Sequence, residues 1–133
     1  MKSFHYAALW LALWLAGVVA ILVVSLGSPP PAPGVPAADK WMHLVAYSGI
    51  AIGAVQVFRA GRPLVWVALG LVAMGVGLEV AQGTLIEGRT MDWRDALANT
   101  LGVAIGAALA EVPGRDLLMA LDNRIARAVA GSA

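Results

Sequence analysis

Long apolar runs alternate with short polar segments along this chain. The first run, residues 7–26, contains twenty residues and no charge. About twenty residues at a rise of about 1.5 Å each cross a hydrocarbon core of about 30 Å, so this run predicts a transmembrane helix. Lys2 ahead of the run also fits a secretory signal peptide, although this apolar run is longer than the usual 7 to 15 or so residues. Three further apolar segments predict spans over about 41–58, 64–80 and 96–112.

The polar segments between these runs carry turn and boundary signals. Five prolines within residues 28–36 predict a short, extended, semi-rigid connector. Pro63 suits the first turn of the helix that follows it. Beyond Pro113 and Gly114, apolar residues at helical spacing predict an amphipathic helix over about 115–130 that lies in the membrane interface. The sequence therefore predicts one all-α membrane domain over residues 1–133, a bundle of four transmembrane helices with a short C-terminal amphipathic helix.

Composition supports a lipid environment and narrows the possible chemistry. Hydrophobic residues make up 60% of the chain and charged residues only 13%, whereas a soluble domain has about 25% charged residues. The lipid bilayer is therefore the first expected partner. A net charge of +1 lacks the excess of basic residues that is typical of nucleic-acid-binding proteins. The absence of cysteine removes disulfides and thiolate catalysis, and no cofactor is expected.

The basic residues are unevenly divided between the two sides of the predicted bundle. Cytoplasmic loops are enriched in Lys and Arg, so the side with more of these residues is expected to be cytoplasmic. This predicts a multi-pass protein with both termini in the cytoplasm. That side holds Lys2, Arg59, Arg62, Arg115, Arg124 and Arg127, and the other side holds Lys40, Arg89 and Arg94.

A weak internal repeat relates the two halves of the chain at an offset of 53 residues. It aligns Asp39 with Asp92, and the pair Gly49/Gly53 with the pair Gly102/Gly106. Two helical hairpins in a parallel repeat would produce this pattern, and chance similarity among small and apolar residues is the alternative. Glycines four residues apart also leave one helix face without side chains, which allows another helix to approach closely. Both pairs therefore predict close packing between the second and fourth spans.

Polar residues collect at the outward-facing ends of the second, third and fourth spans. Asp39 and Asp92 could serve only as helix N-caps. Glu79 is harder to explain structurally, because a carboxylate at membrane depth is costly and usually faces a bundle interior or a wet cavity. Glu79, His43 and Asp95 are candidate catalytic residues. The predicted ligand-binding residues are Asp39, Lys40, His43, Tyr47, Glu79, Gln82, Arg89, Asp92, Asp95 and Asn99.

The order of these polar residues resembles the VanZ-like family of bacterial membrane proteins. The similarity covers residues 39–107 and includes the segments DKWMH at 39–43, EVAQ at 79–82 and DALANTLG at 95–102. The resemblance implies a location in the bacterial inner membrane. It also implies a link to the cell envelope and to low-level antibiotic resistance of the teicoplanin (glycopeptide) type.

Three functions fit this pattern. The first is a binding module whose outward polar site recognises an envelope lipid headgroup, a lipid-linked glycan, a partner membrane protein or a second copy of the chain. The second is an intramembrane enzyme in which Glu79 or His43 is the general base, while Lys40 and Arg89 hold a phosphate. The third is a divalent-metal site on Glu79, His43 and the two aspartates Asp92 and Asp95. No local ligand spacing of the kind seen in metal sites supports it, so no metal is assigned.

Overall fold

The computed structural model describes residues 1–27, 38–86 and 90–131, and these residues contain helices and no strand. The predicted proline-rich connector lies outside the described residues. The sequence prediction of an all-helical chain holds for the described part. The helices are α1 (Ala7–Leu26), α2 (Ala38–Val57), α3 (Arg62–Leu85), α4 (Trp93–Ala108), a 3-10 turn (Leu109–Glu111) and α5 (Leu117–Gly131).

The prediction of four transmembrane helices is wrong, because among the described residues only α1 and α3 are long and apolar enough to cross a membrane. Their mean hydropathies are 2.6 and 2.1. Helix α2 has 20 residues but includes Asp39, Lys40 and His43. Helix α4 has 16 residues, and at about 1.5 Å per residue it is shorter than a hydrocarbon core of about 30 Å. The two apolar helices point to a membrane location by length and composition alone, a criterion that signal sequences and buried core helices also meet.

The helices run in alternating directions, so the molecule has two distinct ends. Near the start of α1, the Lys2 amide donates to Val57 O at the end of α2. The Gln82 side chain near the end of α3 donates to Ser25 O at the end of α1, at 2.7 Å. Helices α1 and α3 are therefore parallel, and α2 runs against them. The end that contains Gln82 is called the polar end here, and the end that contains Lys2 is called the basic end.

The core lies where α2 meets its neighbours. Tyr47, Ile50 and Ala51 of α2 are buried together with Leu71 of α3 and Val103 of α4. Helix α1 covers this core from outside: its Trp14 indole donates to Ile50 O at 3.0 Å. Close van der Waals packing of these side chains stabilises the contacts between the helices.

Only one of the two predicted glycine pairs lies between α2 and α4. A Cβ on Gly102 would be 2.6 Å from Leu44 O, and one on Gly106 would be 2.5 Å from Ser48 O, so both positions require glycine. A Cβ on Gly49 would meet nothing within 4 Å, and one on Gly53 would be 3.0 Å from the Trp14 ring of α1. The two halves of the sequence repeat therefore differ in their glycine contacts.

Helix α5 is fixed to the basic end of the bundle by polar contacts. Gln56 of α2 donates through its side-chain nitrogen to Gly114 O at 3.0 Å and accepts from the Leu118 amide at 3.1 Å. The buried Asp122 carboxylate accepts hydrogen bonds from the N-terminal segment that leads into α1. The apolar side chains of α5, which include Leu117, Leu121 and Val129, remain exposed.

Candidate binding site at the polar end

Helices α2, α3 and α4 bring polar residues to one place because residues four apart lie on one helix face. On α2 this face carries His43 and Tyr47, and on α4 it carries Asp95 and Asn99. The residues form three layers, each about one helical turn deeper than the last. The outer layer contains Lys40 and Asp92, the middle layer His43, Glu79 and Asp95, and the inner layer Tyr47, Gly75 and Asn99.

The outer layer is an ion-pair network centred on Lys40. Its ammonium nitrogen lies 2.8 Å from Asp95 Oδ1, 2.9 Å from Asp92 Oδ2 and 3.1 Å from Asp39 Oδ2. The hydrogen bonds to Asp95 and Asp92 raise the pKa of Lys40 above its usual value. The same ammonium lowers the pKa of Asp92 and of Asp39. Lys40 is thus committed to protein carboxylates, which weakens the hypothesis that it holds a substrate phosphate.

Asp92 serves both as a helix cap and as part of the network. Its Oδ1 accepts from the Arg94 amide at 2.9 Å, which satisfies a free N–H at the start of α4. Its Oδ2 accepts from Lys40. The capping interpretation and the network interpretation of this residue are therefore compatible.

The middle layer is a triad of His43, Glu79 and Asp95 from three helices. His43 Nε2 lies 4.0 Å from Glu79 Oε1 and 4.0 Å from Asp95 Oδ2. One ligand atom from each residue falls within 4.8 Å of the others. Glu79 is only 1% exposed and Asp95 is also buried. The triad thus holds one imidazole nitrogen and two carboxylate groups in a mostly buried position.

The contact with Asn99 fixes which nitrogen of the His43 ring faces the two carboxylates of the triad. The Asn99 Oδ1 atom lies 3.0 Å from His43 Nδ1. A carboxamide oxygen can only accept, so Nδ1 carries the proton and donates it to this bond. In the neutral imidazole with this tautomer, the other nitrogen, Nε2, carries the lone pair, and it faces the two carboxylates.

The inner layer contains two buried donors. The Tyr47 hydroxyl and the Asn99 Nδ2 group have no hydrogen-bond partner among the described residues, and both side chains are 1% exposed. Gly75 of α3 makes room for them: a Cβ there would lie 3.2 Å from Asn99 Nδ2 and 3.2 Å from Tyr47 Cε1. Buried donors without partners are rare in proteins and indicate a place where another acceptor can bind.

A cleft of about 300 Å³ leads to these residues between α1, α2 and α3. Its wall is largely apolar, with side chains from α1 facing side chains from α2. The cleft ends at the polar side chains of His43, Tyr47 and Gln82, next to Ser25 at the end of α1. The apolar wall consists of Ala20, Ile21, Val24, Met42 and Ala46.

Most of the residues predicted for the site are brought together. Tyr47 and Asn99 lie beneath the triad, Gln82 lies at the cleft, and Arg89 lies outside the described residues. Sequence reasoning missed Gly75 and the contribution of α1 to the cleft. Gly75 lies four residues before Glu79, so helical spacing could have identified it. The wall of α1 has no such signal, because its apolar residues resemble those that face lipid.

Comparison with protein-family models, with curated proteins and with solved structures finds no match for this chain. The resemblance to the VanZ-like family therefore stays a prediction from the sequence.

Proposed function

We propose that this protein is a membrane protein that binds an amphiphilic envelope molecule, a lipid or a lipid-linked glycan, in the cleft at its polar end. The observation that carries the proposal is the cleft itself, which has an apolar wall and ends at His43, Tyr47 and Gln82. Binding sites for small molecules are typically apolar clefts with a few convergent polar groups that fix orientation. An amphiphile would place its apolar chain along the apolar wall of the cleft and its headgroup beside the polar side chains.

The charge of the polar end restricts the headgroup. Among the described residues, the Lys40 ammonium contacts the three carboxylates of Asp39, Asp92 and Asp95, which leaves this network with two formal negative charges (three minus one). A bare anionic headgroup would be repelled by this field at short range. A headgroup with sugar hydroxyls or an ammonium group is complementary to it.

The proposed orientation places the basic end in the cytoplasm and the polar end outside. Lys2, Arg59 and Arg115 meet at the basic end: Lys2 Nζ donates to Arg115 O, and Arg59 donates to Ser3. Enrichment of Lys and Arg on the cytoplasmic side supports this orientation. With α1 and α3 crossing the membrane in the same direction, the antiparallel α2 returns the chain from the polar end to the basic end, and the cleft then opens at the outer leaflet. The VanZ-like resemblance supports an envelope location and offers glycopeptide susceptibility of the host as a cellular measurement.

A pair of tryptophan substitutions on α2 tests the proposal. Ala46 lines the cleft, and its replacement in Ala46→Trp should fill the space that the apolar chain would occupy. The neighbouring Val45 is 67% exposed and does not line the cleft, so Val45→Trp is the matched control. Native mass spectrometry of the detergent-extracted protein should show a retained lipid on the wild type and on Val45→Trp. Ala46→Trp should retain much less.

Two results would overturn the proposal. One is the absence of any retained lipid on the wild type under extraction that keeps the protein folded. The other is equal retention by both tryptophan variants, which would mean that the lipid binds elsewhere on the apolar surface.

A further inference from the structure

We propose that His43, Glu79 and Asp95 form a binding site for one divalent first-row transition-metal ion, of which Zn²⁺ is the probe used below. Imidazole nitrogen and carboxylate oxygen are donors that such ions prefer. The site goes beyond the lipid-binding proposal and does not depend on it, because its three ligands all come from the protein.

The distances within the triad are close to those of a metal centre. Zinc–nitrogen and zinc–oxygen bonds are about 2.0–2.2 Å, so two ligands of one tetrahedral ion lie roughly 3.4 Å apart. His43 Nε2 is 4.0 Å from each carboxylate, and all three ligand atoms lie within 4.8 Å. These gaps are too long for direct hydrogen bonds. Contraction by about 0.6 Å at the two His43 contacts, and by at most about 1.4 Å within the triad as a whole, would complete three bonds to one ion.

Two neighbouring residues hydrogen-bond to the ligands and fix which atom of each ligand faces the triad. Asn99 accepts from His43 Nδ1 at 3.0 Å, which leaves Nε2 available as the donor to the ion. Lys40 holds Asp95 through Oδ1 at 2.8 Å, and the second oxygen, Oδ2, is the one that faces His43. Each contact selects the atom that a metal would use.

The inner layer provides an independent indication of a ligand. The Tyr47 hydroxyl and Asn99 Nδ2 are buried donors without partners in the described part of the chain. Each lies one helical turn below a triad residue, since Tyr47 follows His43 by four positions and Asn99 follows Asp95 by four. A nonprotein ligand oxygen at the ion would give these donors an acceptor that the described protein does not supply.

Charge and access also favour a cation here. The triad sets two carboxylates and one imidazole together in a mostly buried position, and this set of oxygen and nitrogen donors suits a divalent cation. The His43 side chain is 19% exposed and lines the cleft, which provides a route for the ion. Three protein ligands leave a further coordination position, as in zinc sites that bind an exogenous ligand.

The experiment uses the whole protein, purified in detergent and stripped of metal with a chelator. Titration calorimetry with Zn²⁺ should show about one tight site per chain. The variants His43→Ala, Glu79→Gln and Asp95→Asn should each lose it. Asn99→Ala should weaken binding by roughly 10–100-fold, the usual cost of removing a hydrogen bond that orients a metal ligand. Asp116→Asn removes an exposed carboxylate at the basic end, far from the triad, and should retain the tight site.

A spectroscopic measurement on the wild type keeps the test decisive if a variant fails to fold. X-ray absorption of the Zn²⁺-loaded protein should show one imidazole ligand together with oxygen ligands. Absence of a tight site, a spectrum without imidazole, or equal binding by a folded Glu79→Gln variant would each overturn the proposal. Zinc is titrated without added lipid and lipid retention is scored separately in the tryptophan pair, so failure of one proposal is distinguishable from failure of the other.

Discussion

Asp122 shows how a single side chain can join two distant parts of this chain. Its carboxylate is fully buried and accepts from the His5 amide at 2.6 Å, the Tyr6 amide at 3.1 Å and the Trp10 indole at 2.8 Å. Burial raises the pKa of Asp122, but these hydrogen bonds outweigh it and lower the pKa to about 2. The sequence shows only an acid between Leu121 and Asn123 of α5, so its role depends on the approach of α1.

We predict that Asp122→Asn lowers the melting temperature in detergent at neutral pH, because an amide replaces the charged acceptor of three N–H donors. A carboxyl whose pKa falls on folding stabilises the fold above its unfolded pKa of about 3.9, and this stabilisation is lost as the pH falls towards 2. Wild-type stability should therefore fall between about pH 4 and pH 2 more steeply than that of the variant.

Asp116→Asn is the control for that prediction. Asp116 is paired with Lys2 at 2.9 Å, but its side chain is 48% exposed, and exposed pairs contribute little. An equal loss of melting temperature in both variants would contradict a special role for Asp122.

At the level of the elements, the tight contact between α2 and α4 depends on one glycine pair. Gly102 and Gly106 lie against the α2 backbone, whereas their repeat partners Gly49 and Gly53 do not lie against α4. Spacing alone cannot distinguish the pairs, because the pattern is the same in both helices. The orientation of α2 about its own axis decides which glycine faces backbone and which faces open space.

We predict opposite effects for two substitutions at repeat-related positions. Gly102→Ala would place a Cβ 2.6 Å from Leu44 O, so it should lower the free energy of unfolding by about 1–3 kcal/mol. Gly49→Ala meets no atom and should raise it by about 0.5–1 kcal/mol, since alanine is the better helix former. Thermal or chemical unfolding in detergent measures both. Destabilisation of similar size at both positions would contradict the contact assignment.

At the level of the whole molecule, charge separates the two ends. Lys2, Asp116 and the residues near Gly114 meet at the basic end, where α5 is attached. The acidic network around Lys40 occupies the polar end. The exposed apolar side chains of α5 lie beside Arg124 and Arg127 in the sequence, a combination typical of helices that rest on an anionic membrane surface.

We predict that Thr90→Cys reacts with a membrane-impermeant thiol reagent in intact cells and that Ala60→Cys does not. Both residues are exposed, and they lie at the polar and basic ends respectively. The chain has no cysteine, so each variant reports a single position. Ala60 is preferable to Gly61, whose positive φ of 84° would strain a cysteine. Labelling after cell lysis is the control, and the reverse pattern would place the basic end outside.

The sequence by itself determined the helical character of the chain, the bounds of α1 and the gathering of polar residues at one end. Those features depend on local periodicity and on uninterrupted apolar length, which can be counted along the chain. The number of membrane-spanning helices was predicted wrongly, because apolar segments suggested four spans while α4 proved too short and α2 carries polar residues within its length.

Only the tertiary structure decided which polar side chains meet. His43, Glu79 and Asp95 lie on three helices, and the relative rotation of those helices sets the 4.0 Å distances between them. Rotation is decided by packing, above all by the approach of Gly102 and Gly106 to the α2 backbone. A sequence pattern fixes the face of a helix on which a residue lies, but the partner of that face depends on how the other helices fill the remaining space.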